Sequence, residues 1–179
     1  MCGIVGYIGD KQAAPFLLDG MSKLEYRGYD SAGIAVYEKG KIRVEKCVGR
    51  LESLRQKLVG NVPVGTVGIG HTRWATHGRP SDRNAHPHTD SSGDFVVVHN
   101  GIIENYMALK EALLEKGHVF LSETDSEVVA HLMEDSFNGN FEETVKKVLG
   151  MIEGSYSLVF MCAKEPDKLI CTKKDNLLV

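Results

Sequence analysis

A cysteine directly follows the first methionine, in Met1-Cys2-Gly3, and the apolar run Ile4-Val5-Gly6-Tyr7-Ile8 comes straight after it. The small Cys2 side chain favours removal of Met1, which would leave a thiol and a free α-amine on one residue. The ordinary pKa of the amine is roughly 7.7–8.0 and that of the thiol about 8.5. Near neutral pH a useful share of the amine is therefore uncharged and can take the thiol proton, directly or through one water. Nucleophile and base are then the same residue, as in the N-terminal Thr arrangement. The apolar run would hold this terminus on a sheet so that it need not fray. On the dipeptide alone, a buried cysteine without chemistry is the simpler account, because Cys is among the most buried residue types.

Three other positions change that balance. Arg73 lies in His71-Thr72-Arg73-Trp74-Ala75-Thr76-His77-Gly78. Among threonine hydroxyls and backbone donors, a guanidinium can grip a small carboxylate bidentately; a solvated surface arginine is the alternative. Asn100-Gly101 ends the run 95–99. An Asn amide and a neighbouring N–H can converge on one oxyanion, yet Asn-Gly is also an ordinary turn pair. Asp125, at a helix start, is either an N-cap or the partner of a ligand ammonium. Each signal is weak alone. Together they describe one ligand, with its carboxylate on Arg73, its ammonium on Asp125, an oxyanion at Asn100-Gly101 and attack from Cys2. That ligand is an α-amino acid carrying a reactive acyl group on its side chain.

Other polar residues carry less. The chain has seven histidines, and His86-Pro87-His88 with His77 and His99 could suggest a metal. A His-x-His pair interrupted by Pro on a loop is poor ligand spacing, so no metal and no cofactor are expected. His118 and His131 lie outside any loop motif and are expected to be structural. Trp74, the only Trp, sits in a long polar loop, which weakens the usual core assignment. Of the four cysteines, Cys47, Cys162 and Cys171 lie in strand-like apolar surroundings and are expected to pack.

The elements that must position these groups follow from periodicity. Strands are expected at 4–8, 34–37, 42–48, 64–71, 95–99, 118–121, 156–162, 168–172 and, cut short, 177–179. A hairpin turn is expected at 38–41 and another turn at 173–176. Helices are expected from Ala13 to Arg27, with Pro15 in the first turn, and at 51–59, 106–116, from 124 onward and at 142–151. The Gly-rich strand 64–71 lets another layer approach closely. The loop 72–94, of about 20 residues, has a length that usually means function. The apolar run 95–99 suggests a strand covered on both faces. Hairpins without regular βαβ alternation indicate an α+β domain with largely antiparallel sheets, two of them stacked between helix layers. With 179 residues, 42% hydrophobic and 25% charged, the chain can bury a core as one domain. A net charge of −3 offers no field for nucleic acid or an anionic membrane. No apolar run approaches membrane-spanning length and no signal peptide is visible. The cysteine pattern fits reducing cytosol, so a cytoplasmic location is expected.

These stretches, with Leu24-Glu25-Tyr26-Arg27-Gly28-Tyr29-Asp30-Ser31-Ala32-Gly33, Asn84-Ala85-His86-Pro87-His88, Val98-His99-Asn100-Gly101-Ile102-Ile103-Glu104-Asn105-Tyr106 and Ser122-Glu123-Thr124-Asp125, run over nearly the whole chain. The sequence resembles the class II glutamine amidotransferases of the N-terminal-nucleophile type. Within them it looks most like the glutaminase domain of the isomerising branch that aminates fructose 6-phosphate to glucosamine 6-phosphate. The resemblance implies a four-layered αββα sandwich and hydrolysis of L-glutamine to glutamate and ammonia. It implies Cys2 as nucleophile with its own amine as acid and base, and Asn100 and the Gly101 N–H as oxyanion donors. Arg73, helped by Thr76 and His77, would bind the α-carboxylate and Asp125 the α-amine. Trp74 would cover glutamine, and Arg27, Gly28 and His86 would support the site. It further implies two sugar-isomerase domains in the same chain holding fructose 6-phosphate, and a homodimer of the full-length enzyme. Those domains are absent from residues 1–179, and the glutaminase domain itself is expected to lack its last strands. If Met1 stays, the amine is blocked and the chain should be inactive. The alternatives are the glutaminase half of another aminating enzyme, a glutamine sensor without turnover, and a redox-sensing thiol protein built on Cys2.

Overall fold

The computed structural model describes residues 2–75 and 77–176. Strand β1 (Gly3–Ile8) leads into helix α1 (Ala13–Leu24) and a single 3-10 turn (Glu25–Arg27). The hairpin β2 (Ser31–Glu38) and β3 (Lys41–Val48), helix α2 (Leu51–Lys57) and β4 (Val67–Arg73) follow. These strands form one antiparallel sheet in the order β1-β4-β2-β3. The second half holds β5 (His88–Thr89), β6 (Phe95–Ile103), α3 (Tyr106–Glu115), α4 (Glu127–Ser136), α5 (Phe141–Leu149), β7 (Gly154–Cys162) and β8 (Leu169–Lys174). Its sheet, also antiparallel, runs β5-β6-β7-β8.

Side-chain alternation along each strand builds three apolar layers. On β2, Ala32, Ile34 and Val36 pack with Leu17 and Met21 of α1 and Leu51 and Leu54 of α2. Ala35, Val67 and Ile69 point the other way and meet Val96, Val98, Val159 and Met161 between the sheets. The opposite faces of β6 and β7, with Val97, Leu158 and Phe160, pack on Val129 and Met133 of α4 and on Phe141 and Val145 of α5. The order is helix, sheet, sheet, helix, and the run 95–99 is covered on both faces as expected. Among the described residues, no helix is long and apolar enough to cross a membrane.

Several expectations are corrected. Asn100-Gly101 is not a turn: β6 continues to Ile103, with Asn100 opposite Ser157 and Gly101 opposite Tyr156, because β7 is long enough to pair all of it. Residues 118–121 form no strand. The N–H groups of Leu121 and Ser122 are taken by the Glu127 carboxylate at 2.7 and 2.6 Å instead of by a neighbouring strand. β4 starts at Val67, since the Val64 and Gly65 N–H groups donate to the side chains of Glu38 and Gln12. It extends to Arg73, and β5 interrupts the long loop. Lys173 and Lys174 pair with β7, so they are strand residues. Cys171, on the edge strand, is exposed. The expected final strand, 177–179, lies outside the described residues.

Candidate active site

Pairing of Gly3 with Thr72 brings Cys2 beside the end of β4. The Trp74 N–H donates to the Cys2 sulfur at 3.1 Å, and the sulfur lies 3.5 Å from the Trp74 carbonyl. Burial pushes the Cys2 thiol up, while the Trp74 N–H hydrogen bond works the other way. Such a thiol is mostly protonated near neutrality and needs a base beside it to attack.

Alternation on β6 sends Val98 and Asn100 toward the facing sheet and His99 toward α4. The Asn100 Nδ2 donates to the Cys2 carbonyl at 3.2 Å. Its Oδ1 lies 2.9 Å from His71 Nε2, which is also 3.1 Å from the His99 carbonyl. A carbonyl only accepts, so Nε2 carries the His71 proton. The Asn100 atom facing it is therefore the oxygen, and the amide NH2 faces the cysteine. His71, fully buried, thus sets the orientation of Asn100. Its motif was visible in the sequence, but nothing there pointed to this partner. Gly101 has φ +133, and a Cβ there would sit 2.0 Å from the Ser155 carbonyl oxygen, so only glycine fits.

Arg73 is 3% exposed, which excludes a surface role. Its Nη2 donates to the carbonyls of His77 and, at 3.0 Å, of Gly78. Its Nη1 has no hydrogen-bond partner among the described residues and lies 3.8 Å from the Asp30 carboxylate. Asp30 also accepts from the Ala75 N–H, so it braces both the guanidinium and the loop. Asp125 is not an N-cap. Helix α4 starts two residues later, and the Asp125 carboxylate accepts the Ile103 N–H of β6 at 2.8 Å. His77 Nδ1 and His99 Nδ1 each lie 4.0 Å from that carboxylate, and the Ser126 hydroxyl lies 2.8 Å from His99 Nδ1.

A cavity of about 320 Å³ joins these groups: Cys2, Arg73, Asn100, Gly101 and Asp125 all line it. That volume is at the small end of ligand sites, roughly 300–1,000 Å³. Trp74 lies at its edge, 48% exposed and edge-on to Tyr29, so it is not a core residue. Arg27, His77 and His86 also line the cavity. Gly28 lies outside the lining, where a Cβ would come within 2.7 Å of the Arg73 backbone. His86 stacks on His71 at 4.2 Å and meets His88 edge-on. Thr76 lies outside the described residues. His99, Ser126 and Asn176 are lining residues not foreseen from the sequence. Asn176 donates to the Asn100 carbonyl at 2.9 Å, a contact between distant residues that no local motif signals.

The buried histidines predict acid lability. Burial lowers His71 and His99 from 6.5 to about 4 and drives His86 and His88 well below 6.5. Between those values the unfolded chain binds more protons than the folded one, so stability is full above about pH 6.5 and is lost as pH falls toward about 4. Thermal unfolding across that window should show a steadily falling melting temperature. A constant one would mean that these imidazoles are already charged in the fold.

Residues 71–177, more than half of the chain, match the model of the glutamine amidotransferase domain. The chain belongs to this family. Its helix–sheet–sheet–helix order is the αββα sandwich of the class II glutamine amidotransferases. The chain is 57% identical, over its whole length, to the isomerising glutamine–fructose-6-phosphate aminotransferase of Caldanaerobacter subterraneus subsp. tengcongensis. It is 52% identical to the enzyme of the same name from Pyrococcus horikoshii. It spans 29% and 30% of the lengths of those two relatives. The solved structure of glutamine phosphoribosylpyrophosphate amidotransferase from B. subtilis superposes with a TM-score of 0.78 at 28% identity. That match covers 91% of this chain and 35% of the other.

Proposed function

We propose that this chain hydrolyses the side-chain amide of L-glutamine to glutamate and ammonia. One observation carries the proposal: a single small cavity is lined by a thiol, the Asn100 amide, a buried guanidinium and a buried carboxylate. With Met1 removed, the Cys2 amine takes the thiol proton and the sulfur attacks the amide carbon. The negative oxygen that forms is met by Asn100 Nδ2 and the Gly101 N–H. Collapse expels ammonia, which leaves with the proton the amine had stored, and forms a thioester. Water, deprotonated by the same amine, then releases glutamate and restores the thiol. Arg73 Nη1 takes the α-carboxylate, with the 76–77 segment beside it, and Asp125 takes the α-ammonium. Trp74 closes over the ligand, while Arg27, Gly28 and His86 support the walls.

In the complete protein we propose that the ammonia is used to convert fructose 6-phosphate to glucosamine 6-phosphate. Residues 1–179 would form the glutaminase unit, sugar-isomerase domains would hold the acceptor, and the whole would be a homodimer. The identity to enzymes of that name supports this reading. The test is intact mass of the N-terminus combined with glutamate release. Chains lacking Met1 should turn over and chains keeping it should not. A folded, demethionylated sample that leaves glutamine untouched would overturn the mechanism.

Substitutions at two residues divide the roles. Asp125→Asn should mainly raise KM, because the ligand ammonium loses its charged partner while the acyl chemistry is intact. A collapse of kcat at constant KM would make Asp125 catalytic instead. His71→Ala should lower kcat with little change in KM, by up to the roughly 10²–10³-fold that losing an oxyanion donor costs. His71→Gln, which keeps an N–H donor, should recover part of it. A change in KM alone would remove His71 from positioning Asn100.

A further inference from the structure

Away from the cavity, His118 and His131, both expected to be structural, converge with Glu134. Among the described residues, His118, His131 and Glu134 present ligand atoms within 4.8 Å of one another. His131 and Glu134 are three residues apart on α4 and share a face. His118 stands on the connector after α3, where the expected strand is missing. Its Nδ1 lies 3.1 Å from Glu134 Oε2, and His131 Nδ1 lies 3.7 Å from the same oxygen.

The far side of each ring matters equally. Glu127 Oε1 lies 3.6 Å from His131 Nε2, and Asp135 Oδ1 lies 3.8 Å from His118 Nε2. The His118 Nδ1–H donates to Glu134 Oε2 at 3.1 Å, so a cation would take the place of that proton, with the Glu127 and Asp135 carboxylates behind the two rings as outer partners. His131 is 1% exposed, and neither ring nitrogen has a hydrogen-bond partner among the described residues. The Phe120 ring covers it at 4.3 Å. The nearest partners of His131 are carboxylate oxygens at 3.6 and 3.7 Å, too far for good hydrogen bonds, which is costly for a buried imidazole, and a cation at Nδ1 would ease that cost.

We propose that His118 Nδ1, His131 Nδ1 and Glu134 Oε2 bind a divalent transition-metal cation of the Zn²⁺ class. Two imidazoles and a carboxylate suit that class. With bonds of about 2.0–2.2 Å, tetrahedral ligand atoms lie roughly 3.4 Å apart, a value that the separations of 3.1 and 3.7 Å bracket. The widest separation in the cluster, within 4.8 Å, would have to close on binding by rotation of the His118 side chain. The ion would tie that connector to α4, and its fourth position would be open to water.

The test is titration of the chelator-treated protein with Zn²⁺ alone, by calorimetry, and with Co²⁺, by visible absorption. One equivalent should bind, and the melting temperature should rise with Zn²⁺ concentration. The cobalt form should show ligand-field bands without sulfur charge transfer, which separates this site from the free thiols. His118→Ala and Glu134→Gln alter partly exposed side chains and should fold. Each should weaken binding by more than the roughly 10–100-fold typical of losing an outer partner, and neither should affect glutamate release. Absence of Zn²⁺ binding, binding unchanged in both variants, or a sulfur-dominated cobalt spectrum would each overturn the site. In those cases the cluster would be a hydrogen-bonded ion pair.

Discussion

Cys2→Ala should abolish glutamate release while leaving glutamine binding in place. The expected loss is on the order of 10⁶-fold in kcat, the scale seen when a nucleophile is removed from a comparable hydrolytic site. Binding should survive because the groups proposed to hold the amino acid are elsewhere. Arg73 is fixed by the His77 and Gly78 carbonyls, and Asp125 by the Ile103 N–H. Alanine removes the sulfur and one hydrogen bond from the Trp74 N–H, too little to unfold two stacked sheets. Calorimetry with glutamine, run beside a glutamate assay, measures both halves. Residual turnover within a factor of ten of the parent would show that another group attacks. Loss of binding along with turnover would show that Cys2 shapes the pocket.

For Asn100→Ala, kcat should drop by about 10²–10³, equivalent to roughly 2.7–4 kcal/mol of transition-state stabilisation. KM should change little, since the oxygen carries full charge only after attack. His71 holds the acceptor end of the Asn100 amide, so the NH2 is oriented before substrate arrives and costs little reorganisation in the transition state. Asn100→Asp is the sharper comparison. It keeps the size, removes the donor and puts a negative charge beside the developing oxyanion, so its loss should be at least as large. Unchanged turnover in either variant would take Asn100 out of the role and leave the Gly101 N–H as the donor.

The local order of elements was legible because periodicity is a short-range property. Leu17, Met21 and Leu24 repeat at helical spacing, and the run from Phe95 to Val98 alternates between two covered faces in the fold. The convergence of a thiol, a guanidinium and a carboxylate on one cavity was legible too, since one ligand chemistry links those functional groups. Which of two roles a residue takes was not legible when both are locally allowed. Asn100-Gly101 makes a good turn in isolation and becomes strand only because β7 supplies partners along its whole length. Asp125 is a natural cap until the β6 N–H of Ile103 claims its carboxylate. The partnership of His71 with Asn100 crosses the two sheets, the brace of Asp30 on Arg73 needs β2 paired with β4, and the gathering of His118 with His131 and Glu134 needs the connector folded onto α4. Their distances depend on register and layer spacing. Those are set by strand pairing and by the packing of two sheets, one from each half of the chain, and no window of sequence contains them.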